Sequence, residues 1–167
     1  MKRSRRVVLM CHCILNVNSK IMGLALYAGA VERVVKKYLA AGIGMIQLPC
    51  PELTYLGLKR WGMTRDQYDT PYYRRHCTTI LTPYVDQIVD YTRNGYQVEA
   101  VIGVDGSPSC GVHRTCIGYR GGMIGGEPSP QFEELQEPGV FIRTLAEMLN
   151  AQGLSIPMEA IREDDPV

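Results

Sequence analysis

The sequence has almost no surplus charge: 18 Lys and Arg stand against 17 Asp and Glu, a net charge of +1. That balance offers no electrostatic grip for a nucleic-acid polymer or a membrane surface. No apolar run is long enough to span a bilayer. The basic head Lys2, Arg3, Arg5 and Arg6 precedes a short apolar stretch, but Cys11, His12 and Cys13 interrupt that stretch. It is therefore read as a strand rather than a secretion signal, and a cytoplasmic location is expected. Repeats are absent, and no shift in composition marks a boundary. Residues 1–167 are thus read as one domain, a length that can bury a single core. The one tryptophan, Trp61, sits in a loop and is read as packing, with stacking on a ligand as the alternative.

Cysteine is not scarce. Cys11, Cys13, Cys50, Cys77, Cys110 and Cys116 make six. Without a secretion signal, six thiols point to metal binding or catalysis rather than to disulfides. Three apolar runs end beside them: Val7 to Met10 before Cys11-His12-Cys13, Ile43 to Leu48 before Pro49-Cys50-Pro51-Glu52, and Val98 to Val104 before Gly106-Ser107-Pro108-Ser109-Cys110-Gly111. The first, apolar throughout, reads as a strand of a parallel sheet covered on both faces, and the other two read as further strands of it. Turns at the carboxyl ends of such strands are where α/β proteins bind ligands.

Between the strands, Leu24 to Leu39 reads as a helix with Leu24, Ala28, Val31, Val35 and Leu39 inward, stopped at Gly42. Thr64 to Arg93 is read as two helices divided at Pro83, with Ile80, Tyr84, Ile88 and Tyr91 buried and Thr70-Pro71 as a helix start. Cys77 is read there as a core thiol, and Arg74, Arg75 and His76 as a solvated face. Pro138 and Gly139 open a last helix with Phe141, Leu145, Met148 and Leu149 inward, and Leu154 to Ile156 is read as a short strand or plain packing. The prolines around Cys50 are expected to hold that segment extended. The glycine-rich segment 117–126 is a long loop, of the kind that covers a site as a lid. Glu163 to Asp165 is read as an acidic tail. The fold class that follows is α/β: a single domain with a small parallel, Rossmann-like sheet flanked by helices.

The chemistry of the thiols leaves several readings. A phosphatase loop requires an arginine six positions beyond its cysteine, and Cys116 stands there instead. Zinc could draw on Cys11, Cys13, Cys50, Cys110 and His113, but the paired knuckles of structural zinc are missing. A cysteine nucleophile activated by His113 would leave the other two strand ends without a role, and six buried apolar thiols is the plain alternative. An iron–sulfur cluster fits best, because thiolates from separate strand ends can converge on it. Either Cys11 or Cys13 could be the first ligand, the other being packing.

Cys13-Ile14-Leu15-Asn16, Cys50-Pro51-Glu52 and Ser107-Pro108-Ser109-Cys110-Gly111 together resemble, in order and spacing, the thiouracil desulfidase (TudS) family, over most of the chain and most weakly at its C-terminus. The resemblance implies a 4Fe-4S cluster held by Cys13, Cys50 and Cys110, with one iron open to substrate. It implies hydrolytic removal of sulfur, as sulfide, from a thiolated pyrimidine or similar small thiocarbonyl compound, with Glu52 and Ser107 as catalytic residues. Glu52 would act as base toward water, and Ser107 would orient substrate or relay a proton, with turn formation as its bland role and turn capping assigned to Ser109. Asn16 where glycine is typical, Cys11-His12 before the first ligand, and Asp105-Gly106 before Ser107 mark a related branch. The rival reading is a non-catalytic cluster- or metal-binding sensor or sulfur carrier.

Overall fold

In a computed structural model, residues 3–121 and 132–163 are described. The segment 122–131, which holds half of the expected lid, lies outside them, as do Asp164 and Asp165 of the expected tail. Four parallel strands form the central sheet in the order β2-β1-β3-β6: β1 (Arg6–Met10), β2 (Gly44–Gln47), β3 (Gln97–Val104) and β6 (Met158–Ile161). Register is set by pairs such as Val8 with Met45, Met10 with Ile102, and Ile102 with Glu159. The chain is a single α/β domain, as its apolar runs predict. Among the described residues no helix is long and apolar enough to cross a membrane.

The β1 to β2 step and the β3 to β6 step run in opposite directions across the sheet. Right-handed crossovers therefore put α2 (Glu32–Ala40) on one face and α6 (Val140–Ala151) on the other. Helix α5 (Pro71–Arg93) packs on α6. The sheet and these two helices enclose the core, with Val8, Leu9, Val101, Leu81, Ile88, Phe141 and Leu145 fully or almost fully buried.

Several expectations are corrected. Helix α2 begins at Glu32, not Leu24, and buries Val31, Val34 and Tyr38, while Leu24 and Leu39 are exposed. The backbone before it is engaged elsewhere: Val17 N–H donates to Gly29 O (2.7 Å) and Val31 N–H to Ile14 O (2.8 Å). Helix α5 runs unbroken through Pro83, and its buried stripe is Tyr73, Cys77, Leu81, Val85 and Ile88. Pro83 lies on the solvent face, where water can serve the carbonyl it leaves unpaired. The division falls earlier, between the short helix α4 (Arg65–Tyr68) and Thr70, whose side chain accepts from Tyr73 N–H and caps α5 with Pro71 behind it.

In the last helix Phe141, Leu145 and Leu149 are buried and Met148 half-buried, as expected. The last strand lies at Met158–Ile161, beyond Leu154 to Ile156. A hairpin of β4 (Thr115–Ile117) and β5 (Glu133–Leu135) stands where only loop was expected. Trp61 is exposed and packs on nothing in the core.

Candidate functional site

The three thiol-bearing turns meet at the carboxyl end of the sheet, and local chemistry sets each one. After Met10 the chain leaves β1 and turns at once into α1 (His12–Leu15), with Cys11 at its N-cap. The strand does not continue, so Cys11 and Cys13 do not share a strand face: Cys11 is buried and Cys13 half-buried. After β2, Cys50 caps α3 (Pro51–Leu56), its sulfur accepting from Leu53 N–H at 3.4 Å with Pro51 at the first helical position. Pro51 thus starts a helix instead of extending the backbone. After β3, Ser107 Oγ accepts from Cys110 N–H (3.0 Å) and Ser109 N–H (3.3 Å) and closes the loop that carries Cys110. Ser107, not Ser109, is the capping residue; the buried Ser109 hydroxyl is bonded to Tyr73 Oη at 2.8 Å.

Cys13, Cys50 and Cys110 converge. Burial raises the Cys13 thiol well above its usual range, and the charges of Cys110 and Cys50 add to that. Burial pushes Cys50 up to about 11, again with Cys110 as a contributing charge. Cys110 is raised by its hydrogen bond with the Cys11 thiol and by burial, against a lowering bond from Ser107. Each of the three pairs is therefore within electrostatic reach, and burial, with the Cys11 bond at Cys110, favours the neutral thiols. Lys20, paired with Glu163 of the C-terminal segment, is the cation that lowers Cys13. Glu163 is consequently part of the site's wall rather than of a free tail. Cys77 lies under the site, buried and pushed to about 12 by burial and by Cys110.

Glu52 follows Cys50 by two residues and is buried. Its Oε2 accepts from Arg60 Nε at 3.3 Å, and the rest of that guanidinium donates to Ser19 O (2.6 Å) and Gly57 O (3.1 Å). Its charge also reaches Cys50, Cys110, Tyr68 and Tyr73, so Glu52 sits among the thiols. Tyr68 faces it without a hydrogen bond of ordinary geometry to its hydroxyl, and burial raises that phenol. Arg60, Tyr68 and Tyr73 were not singled out in the sequence. Only the Thr64-x-x-Gln67 capping box that sets α4 hints at where Tyr68 is placed.

His113 does not activate Cys110: it is exposed, and its Nδ1 lies 3.2 Å from Asp105 Oδ2. Asp105 Oδ1 in turn accepts from Val112 N–H and His113 N–H, both at 3.0 Å, and so braces the turn beyond Cys110. Arg74 and Arg75 form the solvated face expected of them, while His76 bonds Thr54 Oγ1 at 2.8 Å. Among the described residues no three His, Cys, Asp or Glu side chains close on a point that would hold a single metal ion.

No family model matches the chain, and no solved structure matches it. One curated relative is 38% identical over 112 residues, which span 67% of this chain and 71% of the relative: the uncharacterized protein MJ0003 of Methanocaldococcus jannaschii.

Proposed function

The chain belongs to the same family as the protein MJ0003 of Methanocaldococcus jannaschii, and from its own site we propose that it is an iron–sulfur-dependent desulfidase. The reaction is hydrolytic: a thiocarbonyl carbon of a small thiolated pyrimidine or similar compound exchanges its sulfur for the oxygen of water. The thiocarbonyl and water give the carbonyl and hydrogen sulfide, so no oxidant or reductant is consumed. The observation that carries the reading is the convergence of Cys13, Cys50 and Cys110 from three separate strand ends. Three soft sulfur donors brought to one end of the sheet suit iron and sulfide. As thiolates, Cys13, Cys50 and Cys110 would hold a 4Fe-4S cluster, which supplies a soft, open Lewis-acid iron for sulfur.

The protein's own residues supply the rest. Arg60 holds the Glu52 carboxylate in place, where it can act as a base toward water. Lys20 lowers the Cys13 thiol, though its partner Glu163 raises it by more, so the thiolate would be stabilised by the cluster it holds. Ser107, by accepting two backbone N–H bonds and bonding Cys110, orients the loop cysteine. Cys11 packs against Cys110 as a fourth, fully buried thiol, which leaves the more exposed Cys13 as the first ligand.

The test is iron and acid-labile sulfide content of protein purified without oxygen, followed by sulfide release from a thiolated uracil. About four of each per chain, and loss of both in Cys50→Ala, are expected. Glu52→Gln should retain the iron and lose turnover. Zinc in place of iron, or full activity in Glu52→Gln, would overturn the cluster and the base assignment respectively. A cluster without sulfide release from any thiolated base would favour the sensor or carrier reading.

A further inference from the structure

Helix α2 covers only part of its face of the sheet. Beside it, over β3 and β6, lies a pocket of about 280 Å3 between the helix and the exposed sheet face. That is just under the ~300–1,000 Å3 of sites for drug-sized ligands, so its occupant is small. The lining is chemically divided. Arg33 and Lys37, one turn apart on α2, put two cations on one wall, and Arg162 borders the same space. Glu159 lies across from them on β6, close enough to raise the buried Tyr38 phenol; Ile102 and Ile161 are apolar floor.

The fold does not use up Arg33 and Lys37. Arg33 donates from one Nη to Arg162 O at 2.8 Å, but its Nε is buried and has no hydrogen-bond partner. Lys37 has no carboxylate partner among the described residues and lies 5.1 Å over the Tyr38 ring. The Arg33 Nε is too deep for a pocket ligand to reach, but the guanidinium and the Lys37 ammonium both put positive charge on the pocket wall, where one oxyanion would meet both. A bare anion would leave Glu159 facing it, so the occupant also needs donors at that end, which hydroxyl groups provide.

We propose that this pocket binds a small phosphorylated polyol. Its phosphate takes the Arg33 and Lys37 end, its hydroxyls donate to Glu159, and its carbon edge rests on Ile102. The proposal does not rest on the desulfidase reading, since none of these residues belongs to the thiol site.

Titration of the full chain with ribose 5-phosphate and, separately, with inorganic phosphate tests it, by calorimetry and by amide chemical shifts. Ribose 5-phosphate should bind saturably, with shifts concentrated at residues 33–38 and 159–162. Arg33→Gln and Lys37→Gln should each weaken it about tenfold or more, the loss expected when a bond to a charged group is removed, while Arg93→Gln, off the pocket, should not. Both test positions lie on a helix side that contributes little to the core, and circular dichroism checks that each variant folds. Absence of saturable binding, or equal affinity in Arg33→Gln and Lys37→Gln, would overturn the site. Inorganic phosphate binding as tightly as the ester would overturn the polyol assignment.

Discussion

Arg60 and Glu52 form a buried ion pair at 3.3 Å, with the arginine side chain only 2% exposed. The pair joins three segments: α3, which carries Glu52; the Gly57 turn after it; and Ser19, in the 3-10 turn Val17–Ser19 after α1. It therefore couples the Cys50 turn to the Cys13 turn. A buried charge that loses its partner is strongly penalised, whereas removing both charges together costs much less. Arg60→Ala should destabilise the metal-free protein by about 3–5 kcal/mol. Adding Glu52→Gln to it should recover part of that loss, because the stranded charge disappears. Urea unfolding of the four-member cycle measures both; strict additivity would mean that the pair carries no coupling.

Ser107 was legible in the sequence in two roles, turn formation and substrate contact, and the structure shows the first. Its hydroxyl oxygen serves two backbone N–H groups, so Ser107→Ala should cost about 1–2 kcal/mol and slacken the Cys110 turn. If holding that turn is all it does, then on the proposed function the variant will retain less iron yet turn over normally per iron retained. A fall in turnover per iron would instead place the hydroxyl in the reaction. Iron content and sulfide release on the same sample separate the two outcomes.

The distance between sequence and structure differs from residue to residue for physical reasons. Strand ends were readable because each strand is a largely apolar run that ends in a turn, and Cys13, Cys50 and Cys110 stand three, two and six residues beyond Met10, Leu48 and Val104. Helix phase was harder. Val31, Val34 and Tyr38 bury, rather than Leu24, Ala28, Val35 and Leu39, since backbone bonds from Val17 to Gly29 and from Val31 to Ile14 fix where α2 can begin. Pro83 reads as a break, but on a solvent-facing turn its missing bond is served by water. The β4–β5 hairpin was invisible because its strands are three residues each and pair across 15 residues of intervening chain, a contact no local period encodes. Arg60 carried no signal at all: one arginine in a loop looks solvated until Glu52 and two carbonyls are folded around it.

Asp105 predicts an acid limb of stability. Burial alone would raise its carboxyl, but the bonds from His113 N–H, Val112 N–H and the His113 ring outweigh burial and hold it below the usual carboxylate range. A group depressed in the folded state adds stability above its unfolded pKa of about 3.9, and that stability drains away as pH falls through the lower folded value. The metal-free protein should therefore lose stability below about pH 4, and Asp105→Asn should flatten that limb while lowering stability at about pH 7. Chemical unfolding at about pH 3, 5 and 7 distinguishes this from a limb dominated by other carboxylates, for which Asp105→Asn would leave the slope unchanged.

Gly139 offers a test of how tightly the Cys110 loop is seated on the last helix. It is the N-cap of α6, and its N–H donates to Gly111 O at 2.9 Å, while the N–H groups of Val140 and Phe141 donate to Pro108 O and Ser109 O. The loop's carbonyls thus take up the helix's free N–H groups, and the two backbones are drawn into contact. A Cβ on Gly139 would stand 2.4 Å from the Ser109 carbonyl carbon and 2.5 Å from its oxygen, both backbone atoms that cannot swing aside. Gly139→Ala should accordingly cost about 3 kcal/mol, the upper end for overpacking, and displace Cys110 with its loop. Gly29, where a Cβ meets nothing within 4 Å and φ is not positive, is the control: Gly29→Ala should change stability by no more than about 0.5 kcal/mol. Thermal unfolding of both variants and, on the proposed function, their iron content give the answer. If Gly139→Ala matches Gly29→Ala in stability, the loop can slide along α6, and the close backbone contact is not what fixes Cys110.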